Sequence, residues 1–424
     1  MKPLDLGRLR AWSAVPAPRF VGGNQVDLLE GGDALFPRMV QAIGQARREV
    51  WLATYIFHDD VASKAIAQAL VEAAARGVAV HVVVDGFGSI ATMVRVRALF
   101  AGSAVQLEVF RPLDRWYAWL QPGQLRRLHQ KLCVCDEDVA FVGGINVIDD
   151  RLDMNHGWQE APRLDFAVEI HGPLAAAVHA TARAMWARAH LVSHWREEVL
   201  TLARSPARLS EARDMLQQLR GSGARAARET AGSPMRAAFL VRDNLRQRRA
   251  IERSYIEAIR HARTRVDIAV PYFYPGRNFR RALRRAARRG VRVRLLLQGK
   301  VDYRIAALAA QALYDELRAN GVRIFEYTPA FLHAKVAVVD DDWATVGSSN
   351  IDPLSLLLNL EANVVVRDAQ FSQALAARFE AAFAVSVEVT GKAAIAGWRG
   401  WLRRAFVAWG ANIYLRVAGI TGRY

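Results

Sequence analysis

Cysteine is nearly missing from this chain: 424 residues contain two, Cys133 and Cys135, with one residue between them. A disulfide framework is therefore excluded, and the pair reads as two small core residues of a buried strand, because free cysteine packs as a small hydrophobe. Lysine is also scarce, six among 58 basic residues, so a lysine at a conspicuous position has a chemical reason rather than a compositional one. Acidic residues number only 41, which leaves a net charge of +17. Such an excess points to an anionic partner: nucleic acid, an anionic membrane surface or a phosphorylated substrate. No uninterrupted apolar run approaches the ~20 residues that span a bilayer. Charges scattered through Met1 to Phe20 break up any signal peptide. The expectation is a cytoplasmic protein whose membrane contact is peripheral. With 52% hydrophobic residues, the chain can bury the core of two ordinary domains or of one two-lobed body.

What is present is a repeat. Leu128-His129-Gln130-Lys131-Leu132-Cys133-Val134-Cys135-Asp136, followed by Gly143-Gly144-Ile145-Asn146, recurs 204 positions later as Leu332-His333-Ala334-Lys335-Val336-Ala337-Val338-Val339-Asp340 with Gly347-Ser348-Ser349-Asn350. Both copies fit H-x-K-x4-D-x6-G-[GS]-x-N, and one chance match in this composition has a probability on the order of 10⁻⁶. In an extended strand, side chains two apart share a face, so each His-x-Lys pair presents an imidazole beside an ammonium. That is a phosphate site containing a nucleophile. The Gly-[Gly/Ser]-x-Asn turn lets backbone approach a ligand closely and adds an amide that can donate to an oxyanion. Two facing half-sites would surround one phosphorus with His129, His333, Lys131, Lys335, Asn146 and Asn350. Position 144 is Gly where the second copy has Ser348, so only one half can offer the phosphate a hydroxyl. Asp136 and Asp340 belong to the motif, but their odd spacing from the histidines puts them on the opposite strand face, where a structural ion pair is expected. The alanine and valine that replace the two cysteines in the second copy, Ala337 and Val339, argue against a zinc site. His58, beside Asp59 and Asp60, reads as a solvated loop histidine.

The double motif resembles that of the phospholipase D superfamily, and the run from Val346 to Asn363 is similar to bacterial cardiolipin synthases, closest to the B type, with similarity from about Val26 to about Phe383. The resemblance implies an α/β, phospholipase D-like fold: two pseudo-twofold-related lobes, each a mixed β-sheet flanked by helices, with the active site at their interface. It implies catalytic His129, Lys131, Asp136, His333, Lys335 and Asp340, with His129 as nucleophile and His333 as acid and base. Lys131, Asn146, Lys335, Ser348 and Asn350 would bind phosphate, and Asp165 and Glu361 would hold the second imidazole nitrogens. It implies no cofactor and no metal. The partners it implies are phosphatidylglycerol and an anionic membrane surface, at the cytoplasmic side of the bacterial inner membrane, and no nucleic acid is expected. The reaction implied is phosphatidyl transfer from one phosphatidylglycerol to another with loss of glycerol. A phospholipase D-type hydrolase or a transferase using phosphatidylethanolamine is the alternative, and a nuclease is a third reading.

The repeat extends beyond the motif. Residues 41–50 resemble 257–266 and residues 69–78 resemble 282–291, at offsets of 216 and 213; the offset falls to 196 if Asp165 matches Glu361. Each drop marks extra residues in the first half, between Gly77 and His129 and between Asn146 and Asp165. The first insertion carries Trp116, Tyr117, Trp119, Leu120, Arg126 and Arg127, a mixture suited to a lipid-water boundary. The expected organisation is a first lobe over 22–195, a linker over 196–235, a second lobe over 236–390 and a tail over 391–424. In the tail Trp398, Leu402, Phe406, Trp409 and Ile413 recur at helical spacing, with Arg399, Arg403 and Arg404 elsewhere on the wheel, as in a basic amphipathic helix in a membrane interface.

Overall fold

A computed structural model describes residues 18–112, 126–193, 235–242, 247–299, 313–352 and 359–390. The expected linker, apart from Met235, lies outside these residues, as do the expected tail and Trp116, Tyr117, Trp119 and Leu120. The first lobe runs β1 (Gln25–Glu30), α1 (Gly31–Gln45), β2 (Glu49–Thr54), α2 (Val61–Ala75), β3 (Ala79–Asp85), α3 (Met93–Phe100), β4 (Gln106–Phe110), β5 (Arg127–Leu128), β6 (Leu132–Cys135), β7 (Val139–Gly143), β8 (Leu152–Asp153), β9 (Gly157–Trp158), β10 (Phe166–His171) and α4 (Leu174–Ser193). The second repeats it with β11 (Arg236–Arg242), α5 (Ala250–His261), β12 (Arg265–Ala269), α6 (Arg277–Arg288), β13 (Arg292–Gln298), β14 (Arg323–Tyr327), β15 (Val336–Val339), β16 (Trp343–Gly347), β17 (Asn359–Arg367), α7 (Ala369–Ala384) and β18 (Val387–Glu388).

Local chemistry sets these boundaries. The side chain of Asp60 caps α2 by accepting from the Ser63 amide at 2.8 Å, and Asp368 caps α7 through Phe371 in the same way. At the other end, Gly77 and Gly290 follow Arg76 and Arg289 with φ of +89°, a conformation that glycine adopts without Cβ strain. The sheet orders match between lobes: β1-β10-β7-β6-β2-β3-β4 in the first and β11-β17-β16-β15-β12-β13-β14-β18 in the second. Parallel β2–β3–β4 and β12–β13–β14 connect through helices, whereas the motif strands β6 and β15 run antiparallel to β2 and β12.

Alternation along β6 divides the core. Cys133 and Cys135 join the cluster under α1 and α2, as two small core residues should, while Leu132 and Val134 face a cluster that both lobes share. That shared layer contains Val168 and Ile170 of β10, Val338 of β15, Val364 and Val366 of β17, and the apolar faces of α4 and α7. The two sheets are therefore held by one hydrophobic layer, with separate outer layers on each lobe.

The motif aspartates sit at the far ends of β6 and β15 from the histidines. Asp136, with φ of 55°, accepts from the consecutive amides of Arg47, Arg48 and Glu49 at 2.7 to 2.9 Å. Asp340, with φ of 51°, accepts from the amides of Arg263, Thr264 and Arg265 and from the Thr264 hydroxyl. Their expected ion pairs are instead nests of backbone amides that fix the entry to β2 and β12, and neither carboxylate reaches the histidines. Burial works against ionisation of Asp136, but the three amides outweigh it and hold the carboxyl below its usual range. Asp340→Ala should cost about 2 kcal/mol of stability, the scale of hydrogen bonds to a charged group. Turnover per folded molecule should stay within about threefold of the parent; unchanged melting with turnover abolished would instead make Asp340 catalytic.

Candidate active site

The motif histidines lie just before their strands rather than in the ladder. The chain crosses between lobes there: β5 pairs in parallel with β17, and the His129 amide donates to the Leu360 carbonyl at 3.0 Å. On the other side the amides of His333 and Ala334 both donate to the Leu164 carbonyl at 2.9 Å. The residue before each histidine is pinned by the end of a parallel strand. Asp85 accepts from the Leu128 amide at 2.7 Å, and Gln298, its counterpart at offset 213, accepts from the Leu332 amide at 2.8 Å.

The two crossings exchange partners. His129 Nδ1 meets Glu361 Oε2 at 3.0 Å, and His333 Nδ1 meets Asp165 Oδ2 at 2.6 Å, so each histidine is held by the carboxylate of the opposite lobe. Strand register bears out the offset of 196. The amide after Gly143 donates to Phe166 and the amide after Gly347 donates to Ala362, which makes Asp165 and Glu361 equivalent positions. An ionised carboxylate on Nδ1–H leaves the Nε2 lone pair free to attack. Lys131 Nζ donates to the His129 carbonyl at 2.7 Å, and Lys335 Nζ likewise to the His333 carbonyl. Asn146 is nearly buried, and its Oδ1 accepts from the Ile56 amide at 3.2 Å, which frees its NH₂ as a donor. Asn350 occupies the matching turn in the second lobe.

The carboxylates are not backed equally. Glu361 Oε2 also accepts from the Ser348 hydroxyl at 2.5 Å, and Oε1 faces Arg242 Nη2 at 3.4 Å, with Arg242 and Glu361 both fully buried. Ser348 thus spends its proton on Glu361, not on the phosphate as expected, because its hydroxyl also accepts from the Ala362 amide at 3.1 Å. In the first lobe Gly144 stands in its place, and a Cβ there would run into Asp165 Oδ1. Arg242 is paired across the strands with Glu361. The corresponding residue of the first lobe is Gly31, whose amide donates to the Asp165 carbonyl, and behind it lies a second buried carboxylate, Asp150, 2.5 Å from the Gly32 amide.

The electrostatics follow. Burial alone would raise Glu361, but His129, Arg242 and Lys131 hold it below the usual carboxylate range. Burial pushes Asp165 up to about 6 despite Lys335 and Lys131. Desolvation pulls both imidazoles down, and His333 falls further because Lys335, Arg163 and Lys131 add to it, whereas Glu361 opposes the fall at His129. Desolvation lowers Lys131 to about 7 and Lys335 to about 8. An incoming phosphate would restore their charge.

Arg242, Asp150 and Tyr55 carry no motif signal. The Tyr55 ring lies edge-on to His129, centroids 5.0 Å apart, and Lys131 Nζ sits 5.4 Å from its centre. Its counterpart at offset 216 is Pro271. His58 is not a solvated loop residue: its side chain is mostly buried, with Asp59 and Asp60 at 3.5 and 3.3 Å. Away from the site, Glu49, Glu137 and His179 form a cluster whose ligand atoms lie within 4.8 Å. The two carboxylates face opposite nitrogens of the one ring, at 3.0 and 2.7 Å, so the ring lies between them instead of converging with them on one ion.

Comparison with known proteins places these motifs. A family profile described as "Cardiolipin synthase, PLD-like domain" matches residues 39–158 and 255–383. Cardiolipin synthase B of Escherichia coli (strain K12) is 36% identical over 363 residues, covering 83% of this chain and 79% of that protein. Cardiolipin synthase A of Pseudomonas putida (strain GB-1) is 32% identical over 384 residues, covering 91% and 74%. Among solved structures, phosphatidylserine synthase of Haemophilus influenzae Rd KW20 superposes with a TM-score of 0.62 at 13% identity over 97% of this chain and 98% of that one, which is a likeness of fold.

For a soluble phosphodiester, kcat/KM reports the free site. It should fall below pH 6 or so as Asp165 is protonated and releases His333, and fall again above about pH 7 as first Lys131 and then Lys335 lose their charge. The alkaline limb of kcat should lie higher, because bound phosphate stabilises the ammoniums. A kcat/KM that is flat from about pH 5 to about pH 9 would refute this electrostatic account.

Proposed function

Because the chain belongs to the phospholipase D-like cardiolipin synthase family, we propose that its composite site makes cardiolipin in two displacements through a phosphohistidine at His129. The protein is a phosphatidyltransferase. In the first displacement His129 Nε2 attacks the phosphorus of one phosphatidylglycerol, the P–N bond forms, and the P–O bond to the glycerol headgroup breaks. Protonated His333 gives its proton to the departing oxygen, so free glycerol leaves. In the second, the terminal hydroxyl of another phosphatidylglycerol yields its proton to His333, attacks phosphorus, and the P–N bond breaks to give cardiolipin. Lys131, Lys335, Asn146 and Asn350 offset the phosphoryl oxygens' charge, which otherwise repels the nucleophile.

The unequal backing of the carboxylates carries the assignment of roles. A phosphohistidine places positive charge on its ring, and the ring held by a permanently ionised carboxylate bears it best; Arg242 and Ser348 keep Glu361 in that state. An acid and base must take up and release a proton near neutrality. Burial and the neighbouring cations hold the free His333 ring well below its ordinary range, a bound phosphate offsets those cations so that the ring takes up its proton with substrate in place, and its side chain is 26% exposed against 12% for His129, which suits exchange with an entering or leaving alcohol. Peripheral attachment at the cytoplasmic side of the bacterial inner membrane is part of this reading, supported by the lipid substrates and the net charge of +17. Among the described residues no helix is long and apolar enough to cross a membrane. The tail over 391–424, the other expected membrane element, lies outside those residues.

Purified full-length protein with labelled phosphatidylglycerol, in a chelator, should yield cardiolipin and glycerol in equal amounts, unchanged by added phosphatidylethanolamine. Phosphatidic acid alone would make the protein a hydrolase, and cleavage of DNA without any lipid product would overturn the lipid assignment. His129→Ala should abolish the trapped phosphatidyl-enzyme, while His333→Ala still traps it from a substrate whose leaving group needs no proton; the reverse pattern would exchange the roles.

Arg242→Gln tests the backing itself. Without the guanidinium, the pKa of buried Glu361 rises, so the carboxyl is neutral at low pH and ionises only as pH increases. Transfer should therefore fall about 10- to 100-fold near pH 6 and recover toward pH 8, with Arg242→Lys between the two. An equal loss at every pH would reduce Arg242 to a packing residue.

A further inference from the structure

The described residues include eight large hydrophobic side chains that are openly exposed, and they are not scattered. Two, Val385 and Val387, lie just before and within β18 at the edge of the second sheet. The other six, Val61, Phe87, Ile90, Val94, Met154 and Trp158, belong to three segments of the first lobe. Those segments leave the sheet at one end: Ala53 of β2 pairs with Leu132, Val84 of β3 with Thr54, and Val142 of β7 with Leu132. Leu132 directly follows the His-x-Lys pair, so this is the end of the sheet that carries His129.

Hydrogen bonds tie the segments into one rim. The Phe57 amide donates to the Ser89 hydroxyl at 3.0 Å, and the Thr92 hydroxyl donates to the Phe57 carbonyl at 2.7 Å. Arg95 pairs with Asp59 at 2.8 Å. The His58 amide donates to the Val147 carbonyl, and the Asp149 amide donates to Asp60 at 2.9 Å, which connects the turn after Asn146 and hence the β8–β9 hairpin. That hairpin is the insertion between Asn146 and Asp165, and it leans across the cleft, with His156 and Phe331 rings 5.2 Å apart. The Arg127 guanidinium, in the strand pair that leads into His129, lies 5.2 Å from the Phe87 ring.

Isolated exposed hydrophobics need no explanation, but six concentrated on one linked rim, with Val61 and Val94 each 84% exposed and Trp158 65% exposed, form a surface. Exposed Arg95 and Arg97 flank it. A tryptophan among aliphatic residues, bordered by arginine, matches the chemistry of the boundary between acyl chains and anionic headgroups. We propose that this rim is the surface by which the protein seats on an anionic lipid bilayer, with Ile90, Val94 and Trp158 reaching below the headgroups so that the lipid phosphate enters the site directly. The proposal rests on the lipid-transfer reading of the site and adds to it the part of the molecule that meets the bilayer. A rim in this position also accounts for the β8–β9 insertion in the first lobe: residues added beside a site whose substrate stays in a membrane extend the surface that faces it.

The test uses full-length protein and vesicles of phosphatidylglycerol with phosphatidylcholine. Ile90→Ser with Val94→Ser, and separately Met154→Ser with Trp158→Ser, should each lower cardiolipin formation on vesicles about tenfold or more, while turnover of a soluble short-chain phosphodiester and the melting temperature stay at parent values. Val385→Ser with Val387→Ser, equally exposed but away from the rim, should change neither. Cosedimentation with the vesicles should fall in the rim variants, and a fall in vesicle turnover alone also supports the surface, since other basic segments can hold the protein without orienting it. Parent-like turnover of vesicles by both rim variants would overturn the proposal and leave the chemistry standing. A parent protein that makes no cardiolipin from either form of substrate would overturn the transferase reading instead.

Discussion

The exchange of carboxylates between lobes is the constraint on which the site depends. Neither lobe holds its own histidine: His129 relies on Glu361 and His333 on Asp165. Each of these pairs buries charge that would be costly in isolation, and neither exists unless the lobes are docked. The shared hydrophobic layer between the sheets therefore does more than stabilise. It sets the distance across which two imidazoles and two carboxylates meet, so packing of α4 and α7 against β6, β10, β15 and β17 is part of the catalytic geometry. A duplicated chain secures this arrangement intramolecularly, because both halves of the site arrive at the same concentration and in one register.

Much of this was legible in the sequence. The repeated H-x-K-x4-D-x6-G-[GS]-x-N spacing located the histidines, lysines and asparagines, and the falling offset identified Asp165 as the match of Glu361. Gly77 and Gly290 marked helix ends correctly, and Cys133 and Cys135 proved to be core residues. The misreadings share one physical cause. Pattern along a strand reports which residues share a face, not which strand or turn lies opposite. Asp136 and Asp340 were expected to meet cations, but the amides that bind them come from the turns before β2 and β12, about 75 to 89 positions away in the chain. Ser348 was read as a phosphate ligand along with its motif neighbours; the carboxylate that takes its proton is 13 positions on, in an adjacent strand. Arg242 gave no signal, since its role depends on the register of β11 against β17.

The differences between the halves are as informative as the repeat. A symmetric site would have two histidines of equal basicity, and nothing would decide which attacks and which carries the proton. Here three differences at corresponding places set the two halves apart. Serine for glycine, glutamate for aspartate and arginine for glycine surround one carboxylate with donors, while the other keeps a second carboxyl behind it. The cost of burying Arg242 is offset by the ion pair with Glu361 and by hydrogen bonds to Ser349 and the Asn359 carbonyl.

A two-step transfer places opposing demands on its two bases. The nucleophile must become a stable cation without surrendering its orientation, whereas the proton carrier must change state twice in each turnover. A fixed negative charge serves the first demand and would hinder the second by holding the imidazolium too firmly; a carboxyl that titrates near neutrality does the reverse. Duplication alone yields two copies of a single compromise. Divergence confined to residues behind the carboxylates would let one fold meet both demands while the groups proposed to meet phosphate, two lysines and two asparagines, stay the same in each half.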